Sequence, residues 1–317
     1  MGIFDQNKIS IKESFTNKYK LIISSDFMIG NMPILTTTEI RWEIKVKDIT
    51  KDKIRIEILT LSNQLINSNN PLVTSASDTS QVFSKMYNEL DLIITQNCQI
   101  LKILNLDLIK EKWSWLKKDL EAIKKQDPMI AHVITLNDEQ FKDSNTILKA
   151  IQNNEIFTIL FHHIFGKGYH SVSDLIEKRN LFNTAFVKWK FRIDRQENTN
   201  GDSDIIKVNG FLETPLNKQW IKEFYKDFSH LDLDNIKPIM EESGTYKLDK
   251  KTGMVMEAEL TKQEIIHPKI LYATIKYNLS KDNPVEENKR DISPSEVAIS
   301  DDQKNKNEPF HSFLLDD

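Results

Sequence analysis

Glu39-Ile40-Arg41-Trp42-Glu43-Ile44-Lys45-Val46-Lys47 places a large apolar side chain at every even position and a charge at every odd one. Successive side chains of a strand point to opposite faces, so this run predicts a strand with one buried and one wet face. The same alternation continues on either side of it. Upstream, Tyr19, Leu21, Ile23, Ser25 and Phe27 share a face. Downstream, after the polar turn at 48–53, Ile54, Ile56 and Ile58 alternate with Arg55 and Glu57. Three successive antiparallel strands follow. Opposed charges across the wet face add about 0.2–1 kcal/mol per pair.

A second block of alternation lies in the C-terminal half. Val187, Trp189, Phe191 and Ile193 interleave with Lys188, Lys190, Arg192 and Asp194. Ile206, Val208, Gly210 and Leu212 suggest the paired strand, with Gly210 marking a bulge or a close backbone approach. Segments 244–248 and 254–260 flank Asp249–Gly253 as a hairpin, and Leu271, Ala273, Ile275, Tyr277 and Leu279 form the last strand.

Helical periodicity fills the region between the blocks. After a polar loop at 67–78 around Pro71, Asp78 is read as the cap of a helix carrying Val82, Phe83, Met86, Leu90, Ile93 and Ile94. A short strand is expected at 99–104. Asp107 then opens a helix to about Lys125, striped by Ile109, Trp113, Leu116, Leu120 and Ile123, with Trp115 off the stripe. Further helical segments fall within 137–165, with Gly166 as a C-cap, and a last helix spans 217–231. Strands and helices do not alternate regularly, so a doubly wound parallel sheet is excluded. The expected class is α+β: an extended curved antiparallel sheet, a central helical block packed on it, and a disordered C-terminal tail. Residues 1–280 form the body, with an internal boundary near 166–172, and residues 281–317 form the tail.

Composition narrows the chemistry. Among 317 residues there are 8 Gly and a single Cys, Cys98. One Cys permits no intrachain disulfide and no Cys-rich zinc site. No three closely spaced glycines provide a dinucleotide turn, and Gly166-Lys167-Gly168 lacks the rest of a phosphate loop. No apolar stretch is long enough to span a bilayer, and residues 1–20 carry no secretory pattern, so a cytoplasmic location is expected. The net charge is −4. Residues 281–317 hold ten acidic and five basic side chains, which leaves 37 acidic against 38 basic in the rest. The body is balanced, without the basic excess that nucleic-acid binders carry.

Candidate reactive groups are few. No Ser sits in a Gly-x-Ser-x-Gly elbow, and Cys98 reads as a small buried apolar residue. His163, His170 and Glu155 could converge into a metal or acid–base site; neighbouring His162 and His163 point about 100° apart on a helix and cannot chelate as an i, i+4 pair. No cofactor motif is present. The sharpest feature is the end of the tail, where Phe310, Phe313, Leu314, Leu315, Asp316 and Asp317 follow a polar acidic tether. Such a segment suits docking into an apolar groove of a protein partner, with the aspartates meeting basic groups.

Two segments carry resemblances. Residues 99–113, with a short strand ending at Asn105 and a helix bearing Trp113, resemble a pattern in uncharacterised bacterial proteins of mixed sheet and helix. The hairpin Gly244–Met256 looks like hairpins of lipoprotein-carrier-type half-barrels. That likeness implies a half-barrel holding an apolar ligand between sheet and helices. The leading expectation is a non-enzymatic binding or adaptor protein, an accessory subunit of a larger bacterial assembly such as a secretion apparatus. The alternatives are a carrier of an apolar small molecule or lipid, and a hydrolase using His163 or His170.

Overall fold

The computed structural model describes residues 8–124, 128–196, 201–228 and 231–282. The terminal residues singled out above, Phe310 to Asp317, lie outside them.

The first three strands, β1 (Phe15–Ile29), β2 (Met32–Ile49) and β3 (Lys53–Ser68), form the expected antiparallel meander. Register places Tyr19 opposite Trp42, Leu21 opposite Ile40, and Ile44 opposite Ile58, so the apolar phases coincide on one inner face. Helix α1 (Pro71–Ser84) follows, then a 3₁₀ turn, β4 (Glu89–Thr95) and the four-residue β5 (Ile100–Ile103).

Here the structure departs from the helix expected over 78–97. The helix begins earlier, capped by Asn70, whose Oδ1 accepts the Leu72 N–H at 2.9 Å, with Pro71 at the first helical position. Proline is suited there because its missing N–H would be unpaired anyway. Leu90, Leu92 and Ile94 belong to β4, opposite Ile58, Ile56 and Ile54. Leu90, Leu92 and Ile94 fit a period of two while Met86, Leu90, Ile93 and Ile94 fit one of 3.6, and pairing with β3 decides between them.

Helices α2 (Leu106–Lys124), α3 (Pro128–Lys142), α4 (Ser144–Gln152) and α5 (Glu155–Ile159) connect β5 to the opposite edge of the sheet. There β6 (Ser171–Val172), β7 (Ile176–Arg179), β8 (Phe186–Gln196) and β9 (Ser203–Leu212) begin the second meander. Helix α6 (Lys218–Phe224) follows, capped by Asn217 and shorter than expected. The meander ends in β10 (Ile239–Asp249), β11 (Val255–His267) and β12 (Leu271–Lys281).

Among the described residues the strands make one antiparallel sheet in the order β5-β4-β3-β2-β1-β12-β11-β10-β9-β8-β6, with β7 also on β8. The seam is the pairing of the first long strand with the last, from Tyr19 opposite Lys281 to Ile29 opposite Leu271. Strands from both sides of residues 166–172 therefore share this sheet. A short N-terminal strap helps to hold it: Ile9 and Ile11 are buried, the Ile9 N–H donates to Lys167 O at 2.9 Å, and the Lys12 N–H donates to Thr252 O at 2.8 Å. Gly166, expected to cap a helix, instead turns the chain at φ +75° and donates to Ile9 O at 2.8 Å.

Candidate functional site

The two halves of the inner face are filled differently. On the N-terminal half the inward positions are Ile40, Trp42, Ile44, Val46, Ile54, Ile56, Ile58, Leu92 and Ile94, all buried and apolar. On the C-terminal half the inward phase of β10 reads Met240, Glu242, Gly244, Tyr246, Leu248. That of β11 reads Ala258, Leu260, Lys262, Glu264, Ile266. Register sets Glu242 directly opposite Lys262. Glu242 and Glu264 are 5% and 1% exposed, where an isolated charge would be costly.

Each charge meets a specific answer. Lys178, inward on β7, donates to Glu242 Oε2. Its ammonium lies 5.3 Å from the ring centre of Trp189 and 5.0 Å from that of Phe191. Burial works to raise the Glu242 carboxyl, but Lys178 and Lys262 outweigh it and hold the group below the ordinary glutamate range. Burial lowers Lys178, against the pull of Glu242. The second carboxylate, Glu264, is saturated. It accepts from the Tyr225 hydroxyl, from Asn180 Nδ2 at 2.8 Å and from the Leu181 N–H at 2.6 Å. Asn180 Oδ1 in turn accepts the Thr184 and Ala185 N–H groups at 2.8 and 2.9 Å, closing the turn between β7 and β8. Glu264 is thus a structural tie between that turn, α6 and the sheet.

The covering segment is α5 and the residues after it. Gly244 provides no side chain at its inward position, and Gly210 on β9 provides none beside Glu242. A Cβ at Gly210 would lie 3.0 Å from Glu242 O and from the Trp189 ring. The His162 ring packs against the same inner face, with its centre 5.4 Å from Tyr246, 5.6 Å from Phe191 and 5.3 Å from His163. Burial, reinforced by His163 and the two lysines, holds His162 well below the ordinary histidine value, and burial lowers His163 to about 4. Both rings are neutral at pH 7. Glu155, in the first turn of α5, is raised by burial against the pull of Lys262 and a hydrogen bond with Tyr277.

Several polar atoms in this region lack any hydrogen-bond partner: Glu155 Oε2, both ring nitrogens of His162, Trp189 Nε1 and the Tyr246 hydroxyl. All are buried. Lys262 forms no ion pair among the described residues; its ammonium lies 4.9 Å from the Tyr277 ring centre. A cavity of about 60 Å³ is bounded by Lys178, Trp189, Glu242, Lys262 and Glu264, among others.

Of the residues suspected from sequence, His163 and Glu155 both face this charged cluster, each sensing Lys262. His170 does not: it is exposed, at φ +57°, with Nδ1 3.5 Å from Asp194. No group of three or more His, Cys, Asp or Glu side chains suited to a metal occurs among the described residues. Cys98 is buried, and burial raises its thiol. No described helix is long and apolar enough to cross a membrane. Lys178, Glu242, Lys262, Tyr246 and Tyr277 were not singled out as site residues from the sequence. Their signal is a charge or hydroxyl standing in the inward phase of an otherwise apolar strand.

No family model matches the chain, and none of the curated proteins matches it. Among solved structures it is similar to one described as lipid–protein interactions in lipovitellin, with a TM-score of 0.40 and 9% identity. That match covers 84% of this chain and 25% of the lipovitellin chain. A likeness of this size carries no argument about fold or function, and the functional reading rests on the geometry above.

Proposed function

We propose that this protein is a small-molecule-binding protein that takes a polar ligand between α5 and the inner face of β8–β12. One observation carries the reading. Four side chains, Glu155, His162, Trp189 and Tyr246, leave buried polar atoms unpaired around a single charged cluster. Buried polar groups in native proteins are almost always paired, and each unpaired one costs about 1–3 kcal/mol. A ligand, or ordered water holding its place, supplies the absent partners. The cavity is small and lined by charge, which favours a polar ligand group over an acyl chain at this point.

The test is a thermal-shift screen of the purified protein against anionic, neutral and cationic small metabolites. A class that raises Tm in the unaltered protein and not in His162→Leu or Lys262→Met supports the reading. A crystal structure with only water bonded to His162, Trp189 and Tyr246, together with no shift from any class, would overturn it and leave a hydrated core.

A further inference from the structure

The uncommitted groups around the charged cluster are not evenly balanced in chemistry. Glu242 is taken by Lys178, and Glu264 by Tyr225, Asn180 and the Leu181 N–H. Glu155 shares a hydrogen bond with Tyr277 and still leaves its Oε2 unpaired. What remains is rich in donors: the Trp189 indole N–H, the Tyr246 hydroxyl, one N–H of His162, and the Lys262 ammonium, which faces a ring instead of a carboxylate within bonding reach. Trp189 and Lys262 bound the same cavity. An ammonium and an indole N–H on one small cavity suit a carboxylate, whose two oxygens accept several hydrogen bonds and donate none.

The surroundings of Lys262 also bear on the rest of the ligand. Along its row of the sheet the next inward residues are Ile275, Ser25 and Thr36, reached through successive pairings. One row further on, Ala273, Phe27 and Ile34 continue across the same seam. These positions carry no charge, and Ile275, Ser25, Thr36, Phe27 and Ile34 are only partly buried. Lys262 is itself partly buried, like Ile275, Ser25 and Thr36 along its row.

We infer that Lys262 and the Trp189 indole bind the carboxylate of a small organic acid. This rests on the binding reading above and adds to it the ligand's chemical class and its anchor.

The experiment follows the indole N–H resonance of Trp189 in the full chain, assigned with Trp189→Phe, during titration with acetate, butyrate and octanoate. Sodium chloride and neutral octanol serve as controls. The expected result is a saturable shift with each carboxylate, absent with both controls, and affinity at least tenfold weaker in Lys262→Met. Octanoate binding more than tenfold tighter than acetate identifies an amphipathic acid as the ligand; equal affinities identify a short one. Folding of each variant is checked by its circular dichroism. Should Lys262→Met not fold, Lys262→Arg, which keeps the charge, and Trp189→Phe, which removes the indole donor together with part of the ring, read the same contrast in ligand-induced thermal shift. An unmoved Trp189 resonance at saturating carboxylate, or an equal response in Lys262→Met, overturns the inference. If a neutral or cationic metabolite nevertheless binds the cluster in the screen, the binding reading stands without the carboxylate. If nothing binds, both fall.

Discussion

Acidification should weaken this fold through His163, and the size of the effect can be worked out. In the folded chain the ring titrates near 4, below the ordinary 6.5, because burial disfavours the cation first and Lys178, Lys262 and Lys167 repel it, against the attraction of Glu242. The unfolded chain binds the proton more readily, so stability is lost as pH falls from 6.5 toward 4. The full displacement corresponds to about 3 kcal/mol, and lowering pH from 7 to 5 removes roughly 2 kcal/mol of it. The ring is only half-buried, so these are upper values. Burial of Glu155 and Glu264 raises both carboxyls, so those groups act in the opposite direction. His162 acts in the same direction as His163. The comparison that isolates His163 is therefore between two chains that share all the other groups. Urea unfolding of the unaltered protein and of His163→Gln, each at pH 7 and pH 5, gives the required difference. The unaltered chain should lose 1–2 kcal/mol more than the variant over that interval. Equal losses would refute the reasoning, because a ring that is open to water or held as a cation contributes no such slope.

Other outcomes follow from single contacts. Lys178→Met leaves the buried Glu242 without its partner and should cost about 3–5 kcal/mol by denaturant unfolding, whereas Lys178→Met combined with Glu242→Leu should recover much of that loss. Tyr225→Phe removes one donor to Glu264 and should cost about 1–3 kcal/mol, with amide exchange speeding up first in the turn from Asn180 to Ala185. Gly253→Ala places a Cβ 1.8 Å from Ser10 O at a residue with φ +71°. It should lower Tm, and proteolysis should then release the strap at residues 8–12. A Tm unchanged by this substitution would show that the strap does not depend on the hairpin turn.

The strands were legible wherever one face is wet, because alternation of charge and bulk at Glu39–Lys47 and Val187–Asp194 admits only one register to the core. The reading weakened where both faces approach the interior. Leu90, Leu92 and Ile94 satisfy one period and Met86, Leu90, Ile93 and Ile94 another, and only the presence of β3 selects the strand. The first two turns of α1 went unseen because its start is marked by Asn70-Pro71, a pair that also signals a loop, and its own residues are mostly polar. Half of the cluster was visible in outline: His163 and Glu155 stood out, and both belong to it. Lys178, Glu242 and Lys262 did not, for a physical reason. They come from β7, β10 and β11: Glu242 and Lys262 face each other across one hairpin, and Lys178 reaches them only once β7, β8, β9 and β10 have assembled side by side. Within β10 and β11 a local trace did exist. Glu242 falls in phase with Tyr246 and Leu248, and Lys262 with Ala258 and Leu260, so each charge interrupts an inward apolar series.

The molecule contains its own control for the meaning of that interruption. β2–β4 and β9–β11 lie on either side of the β1–β12 seam, in the same antiparallel arrangement and covered on the same face. The first set fills its inner face with Ile, Leu, Val and Trp, capped by the Trp113, Phe141 and Tyr87 stack, with adjacent ring centres 5.6 and 6.3 Å apart. Nothing in the sheet geometry therefore requires charge in the interior of the second. Well-packed apolar residues in place of a buried ion pair are often neutral or stabilising by about 1–4 kcal/mol. Lys178 and Glu242, with the unpaired His162, Trp189 and Tyr246 beside them, are thus a departure from the most stable filling that the other half demonstrates. A departure that costs stability, is confined to one half of the sheet and leaves hydrogen-bonding atoms unused is what the proposed binding function predicts. The pH slope of His163 and the response of Trp189 to carboxylates examine that cluster by independent means: one reads its burial, the other its occupancy.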